Sequence, residues 1–122
     1  MPNQAEFPAI FERLRDILKP YEAQMDGTAN TADSYSLDTR KPGPNKKPMF
    51  FGSAAIKKNY VSYYLMPVYV HLELLEGVSD RLRRRMQGKS CFNFKAVDEE
   101  ALAELRELTA RGYAAFLQDG LI

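Results

Sequence analysis

Residues 49–66, MFFGSAAIKKNYVSYYLM, decide the fold. Two runs rich in apolar and aromatic residues, 49–56 and 60–66, flank a polar segment that begins at Lys57 and Lys58. Such runs around a short polar turn predict a β-hairpin. Gly52 lies inside the first run and indicates a bulge or a close backbone approach.

Upstream of the hairpin, the spacing of apolar residues predicts one helix and one strand. Between residues 7 and 21 apolar side chains recur at steps of three and four, which is typical of an amphipathic helix, and Pro20 ends it. Residues 34–39 alternate between apolar and polar side chains and predict a short strand. Residues 26–32 and 40–48 are predicted to be loops from their composition, the second exposed and mobile.

Downstream of the hairpin, proline, glycine and capping residues mark three helices, and an alternating pattern predicts one more strand. Pro67 begins a helical segment that Gly77 ends, and Ser79 caps a second, short helix. Residues 90–95 alternate and predict a last strand. Asp98 caps the C-terminal helix, whose first turn is acidic.

The resulting element order is α-β-β-β-α-α-β-α. It predicts an α+β fold in which helices pack against a small, mainly antiparallel sheet of four strands. The chain of 122 residues is expected to form one domain, 1–122. The single cysteine, Cys91, excludes an internal disulfide and favours a reducing, cytoplasmic location. Neither a signal peptide nor a membrane span is expected.

The chain is short of catalytic residues. His71 is the only histidine and Cys91 the only thiol, and no pattern in the sequence places them together. No glycine-rich phosphate loop is present. We therefore predict a protein that is not an enzyme and needs no cofactor or resident metal. Two alternatives stay open: an enzyme that uses Tyr and Lys, and a hard metal ion held by the acidic run that starts at Asp98.

The charge distribution suggests a function. Residues 40–95 hold twelve Lys and Arg against three Asp and Glu, whereas residues 1–39 and 96–122 each carry a net charge of −4. A basic segment can bind an anion. It can also be neutralised by acidic helices that pack beside it, and both interpretations remain open.

The predicted function is non-catalytic binding of a small anionic ligand or an acidic partner. The site is expected in a crevice between the sheet and the 67–87 helices. Arg and Lys side chains bind phosphate and carboxylate groups, and Tyr hydroxyls orient them. The candidate ligand-binding residues are Lys57, Lys58, Tyr64, Arg84 and Lys89. Nucleic acid is not the expected ligand, and a homodimer through an exposed sheet edge is an open alternative.

Two long blocks carry a family resemblance: MFFGSAAIKKNYVSYYLMPVY at residues 49–69 and GVSDRLRRRMQGKSCFNFK at residues 77–95. Through them the chain resembles the YdhG-like family of small, mostly uncharacterised bacterial domains, over roughly residues 35–116. The resemblance implies an α+β fold with a curved antiparallel sheet and offers no catalytic residues. Some relatives are described as frataxin-like iron chaperones, so the resemblance, together with the acidic C-terminal helix, makes iron binding the alternative function.

Overall fold

The computed structural model describes residues 6–42 and 46–122. Its helices are α1 (Phe7–Leu18), α2 (Met66–Val70), α3 (Asp80–Arg83) and α4 (Glu99–Gln118), with 3-10 helices at Lys19–Gln24 and Leu72–Leu75. Its strands are β1 (Met25–Asn30), β2 (Ser34–Pro42), β3 (Pro48–Ile56), β4 (Val61–Leu65) and β5 (Cys91–Phe94). No described helix is both long enough and apolar enough to cross a membrane.

The five strands form one antiparallel sheet in the order β1-β2-β3-β4-β5. The predicted hairpin at residues 49–66 is confirmed as β3 and β4, whose register runs from Gly52 opposite Leu65 to Ile56 opposite Val61. The backbone N–H of Lys57 donates to the carbonyl of Tyr60 at 2.8 Å and closes the turn. The α+β class is therefore confirmed, and the count of four strands is wrong.

The additional strand is β1, which occupies most of the predicted loop at 26–32. Its sequence, MDGTAN, has little intrinsic preference for a strand. Met25 nevertheless lies buried opposite Thr39, and the Arg40 guanidinium bonds both Asp26 and the carbonyl of Met25 at 3.2 Å. Pairing with β2 satisfies backbone groups that a loop would leave to water, so tertiary contacts override local preference here.

The predicted loop at 40–48 is also shorter than expected. Strands β2 and β3 continue into it as far as the pair Pro42 and Pro48, and residues 43–45 lie outside the described residues. The Thr39 hydroxyl helps to extend the ribbon, because it accepts from the Met49 N–H at 2.9 Å and donates to the Lys41 carbonyl at 2.8 Å. The described residues on either side of the gap are exposed, as predicted.

One hydrophobic core lies between the inner face of the sheet and helices α1 and α4. Across four neighbouring strands the register aligns Tyr35, Ala54, Tyr63 and Phe92, all fully buried. The Tyr63 and Thr109 hydroxyls hydrogen-bond at 2.6 Å in this core. Burial of each large side chain contributes about 1.5–3 kcal/mol, so this layer determines which face of the sheet points inward.

Gly52 marks a close approach, as the sequence predicted. A Cβ atom at this position would lie 2.9 Å from Cδ2 of Leu18 and 3.1 Å from the carbonyl oxygen of Tyr64. The glycine therefore lets α1 sit directly on the hairpin.

The segment that follows the hairpin is less regular than predicted. The expected helix from Pro67 to Gly77 is instead the short α2 and a 3-10 helix, separated by His71. Gly77 has a φ of +82°, the left-handed conformation expected where a helical segment ends. This segment and α3 bring the chain around the free edge of β5, where Met86 forms a bridge to Phe92.

Candidate functional site

Four arginines on and after α3 dominate the edge of the sheet at β5. The Ser79 side chain accepts from the N–H of Leu82 and caps the helix, and Leu82 is buried against the core. The Arg83 guanidinium turns back along the chain and donates to the carbonyls of Val78 at 3.1 Å and Leu75 at 2.6 Å. Arg83 is therefore occupied in closing the preceding 3-10 segment. Of the other three arginines, Arg81 and Arg84 are exposed and Arg85 is half-buried.

Asp98 organises two of those arginines. Its carboxylate accepts hydrogen bonds from Arg81 at 3.0 Å and from Arg85 at 2.6 Å, and it also accepts from the N–H of Ala101 as the N-cap of α4. Burial disfavours the charged carboxylate, but these hydrogen bonds outweigh it and lower the pKa of Asp98 to about 2. The guanidinium of Arg85 also lies 4.8 Å from the centre of the Phe94 ring, which fixes its plane.

Arg84 projects between two adjoining concavities. It forms no ion pair with any other residue that the structure describes. The first concavity, of about 560 Å³, is lined by Arg81, Arg84, Arg85 and Asp98. The second, of about 450 Å³, is lined by Arg84, Arg85, Met86, Gln87, Asn93 and Lys95. The second concavity thus has three cations and no carboxylate among its lining residues.

A chain of side-chain hydrogen bonds supports the wall of the second concavity. The buried Ser62 hydroxyl donates to Oδ1 of Asn93 at 2.9 Å, and the Cys91 thiol donates to the same oxygen at 3.4 Å. Asn93 in turn donates through Nδ2 to Oε1 of Gln87 at 2.9 Å. Backbone bonds hold the same wall, since the N–H of Asn93 donates to the carbonyl of Arg85 at 2.7 Å.

The structure does not bring the five predicted ligand-binding residues to one cavity. Lys57 and Lys58 line a smaller one, of about 290 Å³, with Phe7, Pro8 and Ile56 at the start of α1. Arg84 lines the two concavities described above. Lys57 and Lys58 precede the end of β4 that pairs with Phe94, while Tyr64 lies at its other end, about 10 Å along the strand.

Tyr64 lies beside Cys91, and Lys89 lies over the ring of Tyr69. Tyr64 is about one-third exposed on the outer face of the sheet, opposite Cys91 in register. A hydrogen bond with the Cys91 thiol is the main reason that the pKa of Tyr64 is raised. The Lys89 ammonium lies 6.0 Å from the centre of the exposed Tyr69 ring.

The acidic run at the start of α4 is engaged in contacts with the rest of the protein. Glu99 forms a two-pronged ion pair with Arg13 of α1, and Glu104 accepts from both the N–H and the hydroxyl of Ser79 at 2.6 Å. No group of three or more His, Cys, Asp and Glu side chains within residues 6–42 and 46–122 is arranged to hold a metal ion. The Asp98 pairs with Arg81 and Arg85 show that the C-terminal acidic helix neutralises part of the basic segment at residues 40–95.

His71 and Cys91 do not pair. His71 bonds Asp119 through Nε2 at 2.6 Å and Glu73 through Nδ1 at 3.2 Å, at the rim of a separate cavity beside the end of α4. The hydrogen bond with Asp119 is the largest cause of a raised His71 pKa. The thiol of Cys91 instead contacts Asn93, on the outer face of the sheet.

Sequence reasoning missed Gln87, Asn93 and Lys95 as residues that line the second concavity. A signal was present for two of them, because alternation in residues 90–95 places Asn93 on the opposite side from Phe92, and Lys95 continues that side. The return of Gln87 onto β5 depends on the turn around Gly88, whose φ is +80°. No local pattern in the sequence predicts that this turn brings Gln87 back onto β5.

No protein-family model, no curated protein and no solved structure matches the chain.

Proposed function

We propose that the protein is a non-catalytic binding protein for a small oxyanion, held at the edge of β5 by Arg84 and its neighbours. The observation that carries the proposal is the position of Arg84, which has no ion-pair partner among the described residues and lies where the two concavities meet. The iron-binding alternative has no comparable support, because Asp98, Glu99 and Glu100 of the acidic run pair with arginines, and no group of three or more His, Cys, Asp and Glu side chains in the described residues is arranged to hold a metal ion.

The electrostatics of the site support an anionic ligand. Arg84 and Lys95 supply positive charge to the second concavity, whose lining includes no carboxylate, while the charge of Arg85 is offset by its ion pair with Asp98. Guanidinium groups bind carboxylate, sulfate and phosphate through two parallel N–H donors. Contacts with Asp98 and Phe94 hold the Arg85 guanidinium in place before a ligand arrives, which reduces the conformational entropy lost on binding.

The same proposal includes membership of the YdhG-like family and a cytoplasmic location. The two sequence blocks at residues 49–69 and 77–95 support the family, and they contain much of the proposed site. The presence of Cys91 as the only cysteine supports a reducing compartment.

The test is an NMR titration with sodium sulfate at constant ionic strength, with sodium chloride as the balancing salt. We expect saturable shifts of the backbone amides of residues 84–87 and 93–95. Replacing Arg84 by Gln should weaken binding about tenfold or more, because a charge-assisted hydrogen bond contributes about 1.5–3 kcal/mol.

Two variants serve as controls. Arg106→Gln removes one positive charge from an exposed position of α4 that lines neither concavity, and it should leave affinity nearly unchanged. The double variant Lys57→Ala/Lys58→Ala tests the residues first predicted from the sequence, and it should also retain binding. Equal loss of affinity in Arg84→Gln and Arg106→Gln would show a diffuse charge effect and contradict the proposed site.

A further inference from the structure

We infer that the second concavity selects oxyanions whose bound oxygens carry no proton, and that Gln87 is a specificity-determining residue for this choice. The site is the one proposed above for anion binding, on which this inference depends. Sulfate and doubly charged phosphate groups have the required chemistry, whereas singly charged phosphate, which retains a second hydroxyl, does not.

The hydrogen-bond chain determines which end of the Gln87 amide faces the concavity. The structure places Oδ1 of Asn93 toward Ser62 and Cys91, where it accepts from the hydroxyl at 2.9 Å and from the thiol at 3.4 Å. The Asn93 nitrogen then faces Gln87 and donates to its Oε1. Gln87 therefore has its oxygen engaged by the protein, and the two hydrogens on Nε2 remain to be offered to a ligand.

Donors consequently dominate the polar wall of this concavity. Arg84, Arg85 and Lys95 have no acceptor atoms in their side chains, and the oxygens of Asn93 and Gln87 already accept from within the protein. A ligand oxygen that carries a proton would point that proton at another donor. Such an unmatched pair leaves the ligand hydroxyl without an acceptor and loses the energy of one hydrogen bond.

The experiment compares sulfate with inorganic phosphate by NMR titration of the whole protein at several pH values on either side of the second phosphate pKa. Sulfate keeps its charge throughout this range, so its affinity reports any change in the protein, including titration of His71. We expect phosphate affinity relative to sulfate to fall as the pH drops below that pKa and to level off about tenfold lower, because singly charged phosphate binds with one hydrogen bond fewer. The Nε2 resonances of Gln87 should shift with sulfate.

Gln87→Met removes the amide without changing charge and nearly preserves side-chain length, and Gln118→Met makes the same change at an exposed position of α4. We expect Gln87→Met to weaken sulfate binding about fivefold and to reduce its preference over singly charged phosphate, while Gln118→Met changes neither.

The outcomes separate this inference from the proposed function. If sulfate and singly charged phosphate bind equally well, and both are lost in Arg84→Gln, the anion site stands and the selectivity is overturned. Unshifted Gln87 Nε2 resonances on sulfate saturation would overturn it as well. If neither anion binds at any pH, the proposed function fails, and the selectivity fails with it.

Discussion

Nη2 of Arg85 lies 2.6 Å from Oδ2 of Asp98, and this ion pair joins the end of the α3 segment to the start of α4. The Asp98 carboxylate has a second structural role, because it also caps α4 through the N–H of Ala101. One side chain therefore holds a helix terminus and positions two arginines that border the proposed anion site, Arg81 and Arg85. Its replacement should affect folding and binding in separable ways.

Asp98→Ala should destabilise the protein by about 2 kcal/mol, since it removes an N-cap and leaves Arg81 and Arg85 without their carboxylate. Asp98→Asn retains an N-cap and should lower the free energy of unfolding by less than Asp98→Ala does. Urea denaturation measures both, and a larger loss for Asp98→Asn than for Asp98→Ala would contradict the capping role.

The Asp98 interactions should also weaken at low pH. The folded pKa of about 2 lies below the ordinary value of 3.8, so the contribution to stability is present above pH 3.8 and is lost as pH falls through 2. Denaturation of the wild type and Asp98→Asn across this range should show a steeper acid loss in the wild type. If the free energies of unfolding of the two proteins change in parallel with pH, Asp98 does not contribute to the acid loss of stability.

His71 should produce the opposite dependence on pH. Its pKa is raised above 6.5 by Asp119 and then Glu73, so its contribution is fully present below pH 6.5 and is lost as pH rises through the folded pKa. Arg111 lines the same cavity and faces the cluster as its nearby positive charge. Thermal unfolding of the wild type should lose stability over this interval relative to His71→Gln. A constant difference in Tm between the two proteins would contradict the titration.

Arg83 and Arg84 are neighbours in sequence with different roles, and single substitutions should separate them. Arg83→Met removes hydrogen bonds to the carbonyls of Val78 and Leu75 and should cost about 1–2 kcal/mol of stability, with little change in sulfate affinity. Arg84→Gln should weaken sulfate binding. It should leave the free energy of unfolding within about 0.5 kcal/mol of the wild-type value, as is usual for exposed positions. A loss of stability in Arg84→Gln together with a loss of sulfate affinity in Arg83→Met would contradict both roles.

Gly52→Ala should destabilise the protein by about 1–3 kcal/mol, because the new Cβ would lie 2.9 Å from the Leu18 side chain and 3.1 Å from the Tyr64 carbonyl. Gly27→Ala is the matched control, since no atom lies within 4 Å of a Cβ built at Gly27. Urea denaturation of both variants gives the comparison, and equal midpoints would contradict the close packing of α1 on the hairpin.

Much of the fold could be predicted because local patterns report directly on burial. The alternation around Tyr35 and the apolar periodicity of α1 both correspond to side chains that face the core. The caps at Ser79 and Asp98 were predicted correctly for the same local reason, since each satisfies N–H groups within its own first turn. Strand β1 could not be predicted, because its stability comes from its pairing with β2 and not from the preferences of MDGTAN.

The candidate site was predicted only in part. The charge count pointed to a basic segment, and Arg84 remains in the proposed site, but charge along the chain does not tell which cations are already paired. Arg83 bonds backbone carbonyls, and Arg81 and Arg85 bond Asp98. The Lys57 and Lys58 turn lines a different cavity from Arg84.

The sequence by itself determined the α+β class, the central hairpin at residues 49–66 and the helix caps, because hydrophobic periodicity and capping act over a few residues. Tertiary structure alone decided that a fifth strand forms, that Arg84 lies between two concavities with no ion-pair partner among the described residues, and that Oε1 of Gln87 accepts from Asn93. Each of these outcomes depends on groups distant in the chain, such as Ser62 and Asn93, which lie 31 positions apart and meet only when β4 and β5 pair.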